Sequence, residues 1–121
     1  MSRARVSLIL ALFAVALLTV PGALAKQTFQ LKGEVYAKGF KIEMKKASGA
    51  KLRTIKAGTY RIKIEDMASI HNLHLKGPGV DKKTSIAGKA ETIWTVRLRP
   101  GKYTFVCDPH ASMMRGSFVV T

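Results

Sequence analysis

The chain has a single cysteine among its 121 residues, so no intrachain disulfide can form. Its three histidines and that one thiol cannot supply several metal centres, and the length leaves room for one domain only. A cofactor-rich multidomain enzyme is therefore excluded. There is no Gly-rich phosphate loop, no paired-carboxylate motif and no Ser/His/Asp arrangement on which to build a catalytic site. Internal repeats and low-complexity tracts are also missing. Acidic residues are scarce, 7 against 21 lysines and arginines, which gives a formal net charge of +14. Hydrophobic residues make up 47% of the chain, too many for a disordered tail.

The first 25 residues have the pattern of a secretory signal peptide. Arg3 and Arg5 precede an apolar run from Val6 to Val20; Pro21-Gly22 breaks it, and Ala23-Leu24-Ala25 offers small residues for cleavage before Lys26. The alternative is an uncleaved anchor, because the run is almost long enough to span a bilayer. Either way the expectation is an exported domain, periplasmic or extracellular, spanning residues 26–121. Cleavage would leave 19 basic and 7 acidic groups and no stable membrane insertion. A domain so basic attracts acidic proteins or anionic surfaces. Nucleic acid is not the expected partner, since export argues against it and neither a helical basic stripe nor a stacking-aromatic array is visible.

Beyond Lys26 the apolar period is two, the signature of half-buried strands. Phe29, Leu31 and Val35 alternate with Gln30, Lys32 and Glu34; Phe40, Ile42 and Met44 with Lys41, Glu43 and Lys45. The same alternation holds for Tyr60, Ile62 and Ile64, for Trp94, Val96 and Leu98, for Tyr103 and Phe105, and for Phe118 and Val120. Turn signals at Ser48-Gly49, Ala57-Gly58, Gly77-Pro78-Gly79 and Pro100-Gly101 separate the runs. The pattern predicts an all-β domain of antiparallel sheets, a β-sandwich or small barrel. Residues 77–88 form the longest stretch without alternation. No coiled coil or apolar oligomer stripe is present, and a monomer is expected.

Chemistry concentrates in Cys107-Asp108-Pro109-His110-Ala111-Ser112-Met113-Met114-Arg115-Gly116. A free thiol is a liability in an exported protein unless something protects it, and metal binding does so. Thiolate, imidazole and thioether together suit copper in both oxidation states. A trigonal site needs one more imidazole, from His71 or His74. In an extended strand these face opposite ways. His71 shares parity with Leu73 and Leu75, His74 with Asn72 and Lys76, so His71 is the candidate and His74 is expected in solvent. Met44 and Met67 are expected to have no role in a site.

His71-Asn72-Leu73, then Cys107-x-Pro109-His110 and Met-x-Gly, resembles the blue-copper cupredoxins, and the small plastocyanin- and amicyanin-like proteins above all. The strand start Gly58-Thr59-Tyr60 and the turn Pro100-Gly101-Lys102-Tyr103 are similar as well. The resemblance implies a Greek-key β-sandwich and one type 1 copper ion, held equatorially by His71, Cys107 and His110. It places the axial methionine two residues before a glycine, which selects Met114, with Met113 as the alternative. It also implies that Asn72 ties the His71 segment to the cysteine loop. Pro109 lacks an N–H and so cannot donate to the thiolate.

The implied function is one-electron transfer rather than catalysis, because copper oxidases and nitrite reductases need further histidine-rich centres. His110 would be the electron's exit, with Pro109, Ala111 and the non-ligating methionine as a small apolar contact for an acidic redox partner. Two other functions fit the same residues: copper delivery or storage, and a basic surface-binding module that holds no metal.

Overall fold

The computed structural model describes residues 28–121. The segment expected to be a signal peptide lies outside the described residues. Nine strands follow in order: β1 Leu31–Val35, β2 Ile42–Lys46, β3 Thr54–Ile55, β4 Gly58–Asp66, β5 His74–Gly77, β6 Val80–Lys83, β7 Ala90–Leu98, β8 Gly101–Val106 and β9 Arg115–Val120. A single 3-10 turn, Asp108–His110, interrupts the link from β8 to β9. Among the described residues no helix is long and apolar enough to cross a membrane.

The strands form two sheets, β2-β1-β4-β7 and β3-β9-β8-β5-β6. Most neighbours are antiparallel, as expected, but each sheet contains one parallel pair, β1 with β4 and β3 with β9. The alternating residues meet between the sheets: Leu31, Val35, Ile62, Ile64, Val96, Leu98, Tyr103, Phe105, Phe118 and Val120 are all buried there, with Tyr60 and Trp94 packed at the margin. Tyr103 stacks on Phe118 with ring centroids 5.3 Å apart. Its hydroxyl accepts from the Arg99 N–H (2.9 Å) and lies 2.9 Å from the Pro78 carbonyl, so its polar end is satisfied although its ring is fully enclosed. Gly77 lies directly against that ring, where a Cβ would overlap it.

Two expectations from the pattern fail. Residues 77–88 are not wholly irregular: Pro78 and Gly79 make a two-residue turn, with Gly79 at φ 69°, and Val80–Lys83 folds back on β5 as an edge strand. Its Asp-Lys-Lys sequence hides the alternation, because an edge strand with little buried surface needs charge more than apolar residues. Phe40, read as an inward residue of β2, precedes that strand and is 54% exposed.

The outer face of the four-stranded sheet carries an unusual charge pattern. Lys45, Lys32 and Lys63 are aligned in one row across β2, β1 and β4; Glu43, Glu34, Glu65 and Glu91 are aligned in the next, across all four strands. Like charges in register repel. Each lysine instead reaches glutamates of the adjoining row, giving one zigzag: Glu43–Lys45 2.8 Å, Lys45–Glu34 2.9 Å, Glu34–Lys32 2.6 Å, Lys32–Glu65 3.0 Å, Glu65–Lys63 2.8 Å and Lys63–Glu91 3.1 Å. All four glutamates of the chain take part.

Candidate metal centre

The donors come from two places at one end of the sandwich. His71 lies in the segment leading into β5; Cys107 caps the start of the 3-10 turn after β8, and His110 is its last residue. That turn is tied at both ends, since Cys107 N–H donates to the Met114 carbonyl (2.9 Å), and His110 N–H to that of Cys107 (3.0 Å). His110 in turn accepts at its carbonyl from Met113 (2.9 Å) and Met114 (2.8 Å) N–H groups. The eight-residue link between β8 and β9 therefore becomes a hydrogen-bonded loop whose side chains converge.

His71 Nδ1 lies 3.7 Å from Cys107 Sγ, His110 Nδ1 lies 3.6 Å from the same sulfur, and the two Nδ1 atoms are 3.0 Å apart. A point equidistant from these three atoms lies about 2 Å from each, the length of a first-row metal–nitrogen bond. His71 Nε2 faces the Gly39 carbonyl at 3.1 Å. Only an N–H can bond to that oxygen, which fixes the tautomer and leaves Nδ1 as a lone-pair donor toward the sulfur. Cys107 and His71 are buried, and His110 is half-buried. The donor set fits a single soft-to-borderline ion. Met114 is buried beneath the loop, whereas Met113 is 56% exposed.

A hydrogen-bonded frame holds the donors. Asn72 accepts from Asp108 N–H at Oδ1 (2.8 Å), and its Nδ2 donates to Asp108 Oδ2 (2.9 Å) and the Thr84 carbonyl (3.4 Å). The link expected of Asn72 is thus present, and it is two-pronged. Thr84 exchanges backbone and side-chain bonds with Leu73, and its hydroxyl donates to the buried Asp66 carboxylate at 2.6 Å. Burial pushes the Asp66 carboxyl up from its ordinary value, against the pull of Thr84 and the Ala68 N–H.

His74 overturns the expectation that it would be solvated. It does lie on the outer face, as parity requires, but it is only 6% exposed. Asp108 Oδ1 covers its Nδ1 at 2.7 Å, and Asp81 Oδ1 covers its Nε2 at 2.5 Å. The His74 bond holds Asp81 below the usual carboxylate range. Burial pushes Asp108 up, but the bonds from Asn72 and His74 outweigh it and its pKa is lowered. Sequence could not reveal this clamp, because Asp81 belongs to the strand that the alternation did not show. Phe40 was missed in the same way: its ring lies 5.0 Å from that of His110 and 5.7 Å from that of His71, walling both imidazoles on one side.

Residues 8–120 match the sequence model of the cupredoxin-like domain. The chain belongs to the cupredoxin-like family. Among solved structures, this cupredoxin-like chain is similar to a point mutant of rusticyanin, at 20% identity and TM-score 0.55, over 75% of this chain and 76% of that one. Reduced rusticyanin is similar at 19% identity and TM-score 0.52, over 75% and 77% of the two chains. These likenesses establish the shared fold. No curated protein matches the sequence significantly. The cupredoxin-like fold, with His71, Cys107 and His110 brought together, points to copper binding.

Proposed function

We propose that the protein is a one-electron carrier with one type 1 copper, exported to the periplasm or beyond the cell, and not an enzyme. The observation that carries this reading is the triangle of His71 Nδ1, Cys107 Sγ and His110 Nδ1, with sides of 3.0 to 3.7 Å. These three residues would hold the metal equatorially, and buried Met114 would be the weak axial donor. Bound copper supplies the reversible one-electron step between Cu(I) and Cu(II).

The chain's own residues do the rest. Gly39 orients His71, Asn72 holds the cysteine loop against the His71 segment, and Phe40 keeps water from one side of both imidazoles. Donors fixed in this way need to move little when the charge on the metal changes. Pro109 brings no N–H toward the thiolate, which favours electron donation from sulfur. Half-buried His110 gives the electron its way out, beside exposed Pro109, Ala111 and Met113. The partner is an acidic redox protein, drawn by the net positive charge. Cys107 is fully buried, which favours this reading over copper delivery, because ligand exchange with an acceptor needs an accessible thiolate.

The test is titration of the purified protein with Cu(II), followed by visible absorption and electron paramagnetic resonance. An intense thiolate-to-copper band and narrow hyperfine splitting at one equivalent are expected, and Cys107→Ser should lose both while keeping the β-sheet circular dichroism. An ordinary tetragonal spectrum, or full colour in Cys107→Ser, would overturn the assignment.

A further inference from the structure

We propose that the outer face of the five-stranded sheet is the surface on which an acidic protein partner docks. Register assembles this face in three rows. Nearest the metal centre are Lys83, His74, Val106 and Arg115; next come Asp81, Lys76, Thr104 and Ser117; farthest are Lys102, Val119 and Thr54. Lys76, Lys83, Lys102 and Arg115 are exposed, and none is in a salt bridge among the described residues. The one carboxylate on the face, Asp81, is bonded to His74 and feels Lys76 and Lys83, and Asp108 at the rim is bonded to His74 as well, so four cations face two carboxylates.

The opposite sheet differs. There every glutamate is matched to lysine in the zigzag, so the half of that face nearest the metal centre is largely neutralised. Of the two sheet faces, the one with an excess of positive charge near the metal end is therefore the five-stranded one, while Lys38 and Lys89 are carried on loops beside the other sheet. An acidic partner is steered to that side, beside the Cys107 loop that follows Val106.

The composition selects a protein rather than a bilayer. Between the cations lie short hydroxyl and aliphatic side chains, Thr104, Ser117, Val106 and Val119, which give a flat centre with a charged rim. The large apolar side chains that a membrane interface would take up, such as Phe40, Ile70 and Ile86, are not on this face. Five strands make it about 20 Å wide, the scale of a weak and transient contact. The proposal deepens the electron-carrier reading by naming the face that meets the partner, and rests on that reading for what the encounter achieves.

The test needs no copper, so its failure is separable from failure of the metal assignment. ¹⁵N-labelled protein is titrated with poly-L-glutamate at low and at 0.3 M salt, and with phosphatidylglycerol vesicles. Amide shifts confined to residues 74–83, 102–106 and 115–119, abolished by salt, are the expected result. K76E/K83E/K102E should weaken binding at least tenfold, while K46E/K89E/R97E, with the same change in net charge on the other sheet and its approaches, should change it less than threefold. Equal losses in the two triple variants, or shifts spread over the whole surface, would mean that net charge alone acts and would overturn the proposal. Vesicles binding more tightly than the polypeptide through the same amides would overturn it in favour of a membrane.

Discussion

Asn72 and Asp108 bond to each other twice, amide to carboxylate and backbone N–H to amide, across 36 residues of sequence. Neither bond touches the sulfur, yet together they fix where the chain leaves β8 and so where Cys107 and His110 point. Asn72 is 1% exposed, and its removal leaves the Asp108 N–H and carboxylate short of partners. Asn72→Ala should destabilise the fold by about 1–3 kcal/mol. It should also broaden and shift the thiolate-to-copper band. Thermal unfolding of the metal-free protein and absorption of the loaded one check the two effects separately.

The two methionines of the loop should separate cleanly. Met114→Leu is expected to keep copper and colour but shift the reduction potential, since the axial bond is weak and tunes more than it holds. Met113→Leu, at an exposed position, should leave the potential where it was. Voltammetry on both variants decides, and the reverse outcome would make Met113 the axial donor.

Acid stability should depend on Glu34. Burial pushes its carboxyl up, but bonds from Lys32, Lys45 and Tyr36 prevail and bring it from 4.5 to about 2. A carboxyl lowered on folding stabilises above its unfolded pKa, and that stability is lost as pH falls through the folded one. The loss should therefore run from about pH 4.5 down to about 2, with a total of about 3 kcal/mol. Glu34→Gln should flatten this part of the stability curve measured by denaturant unfolding. An unchanged slope would show that the zigzag carries no such coupling.

Gly77→Ala should be severe, because its Cβ would overlap the Tyr103 ring, which is fully buried and tethered through its hydroxyl. Overpacking of this kind destabilises by about 1–3 kcal/mol or more. Gly88→Ala meets only Ser85 at ordinary contact distance and should fall within about 0.5 kcal/mol of the parent. Paired chemical denaturation of the two variants reads the difference.

Period-two alternation carried the sandwich, because each main strand buries one face. It missed β6, whose outward residues are charged and whose apolar contribution is Val80 alone. His71 was chosen by strand parity, although it precedes β5 and is set in place instead by Gly39 and the Thr84 bonds around Leu73. Cys107 and His110 were legible together because one short loop holds them, and the same loop carries Met114, the proposed axial donor. The parts that surround them were not. Phe40, Asp81 and Asp66 lie far away in sequence, and only register and sheet packing bring them close. The lysine and glutamate rows were hidden for the same reason, since each strand taken alone shows an ordinary alternation of charges.

The parallel pairings of β1 with β4 and β3 with β9 carry a kinetic consequence. Strand β9 docks against both β8 and β3, and a chain that lacks it cannot close the five-stranded sheet. Contacts between such distant segments form slowly, because loop entropy must be overcome before they are rewarded. His71 therefore meets Cys107 and His110 only in a nearly finished molecule, and a partly synthesised or half-folded chain holds no trigonal pocket. If the centre takes copper as proposed, its capture would be an event of the completed fold, and the onset of colour during refolding would time its last step.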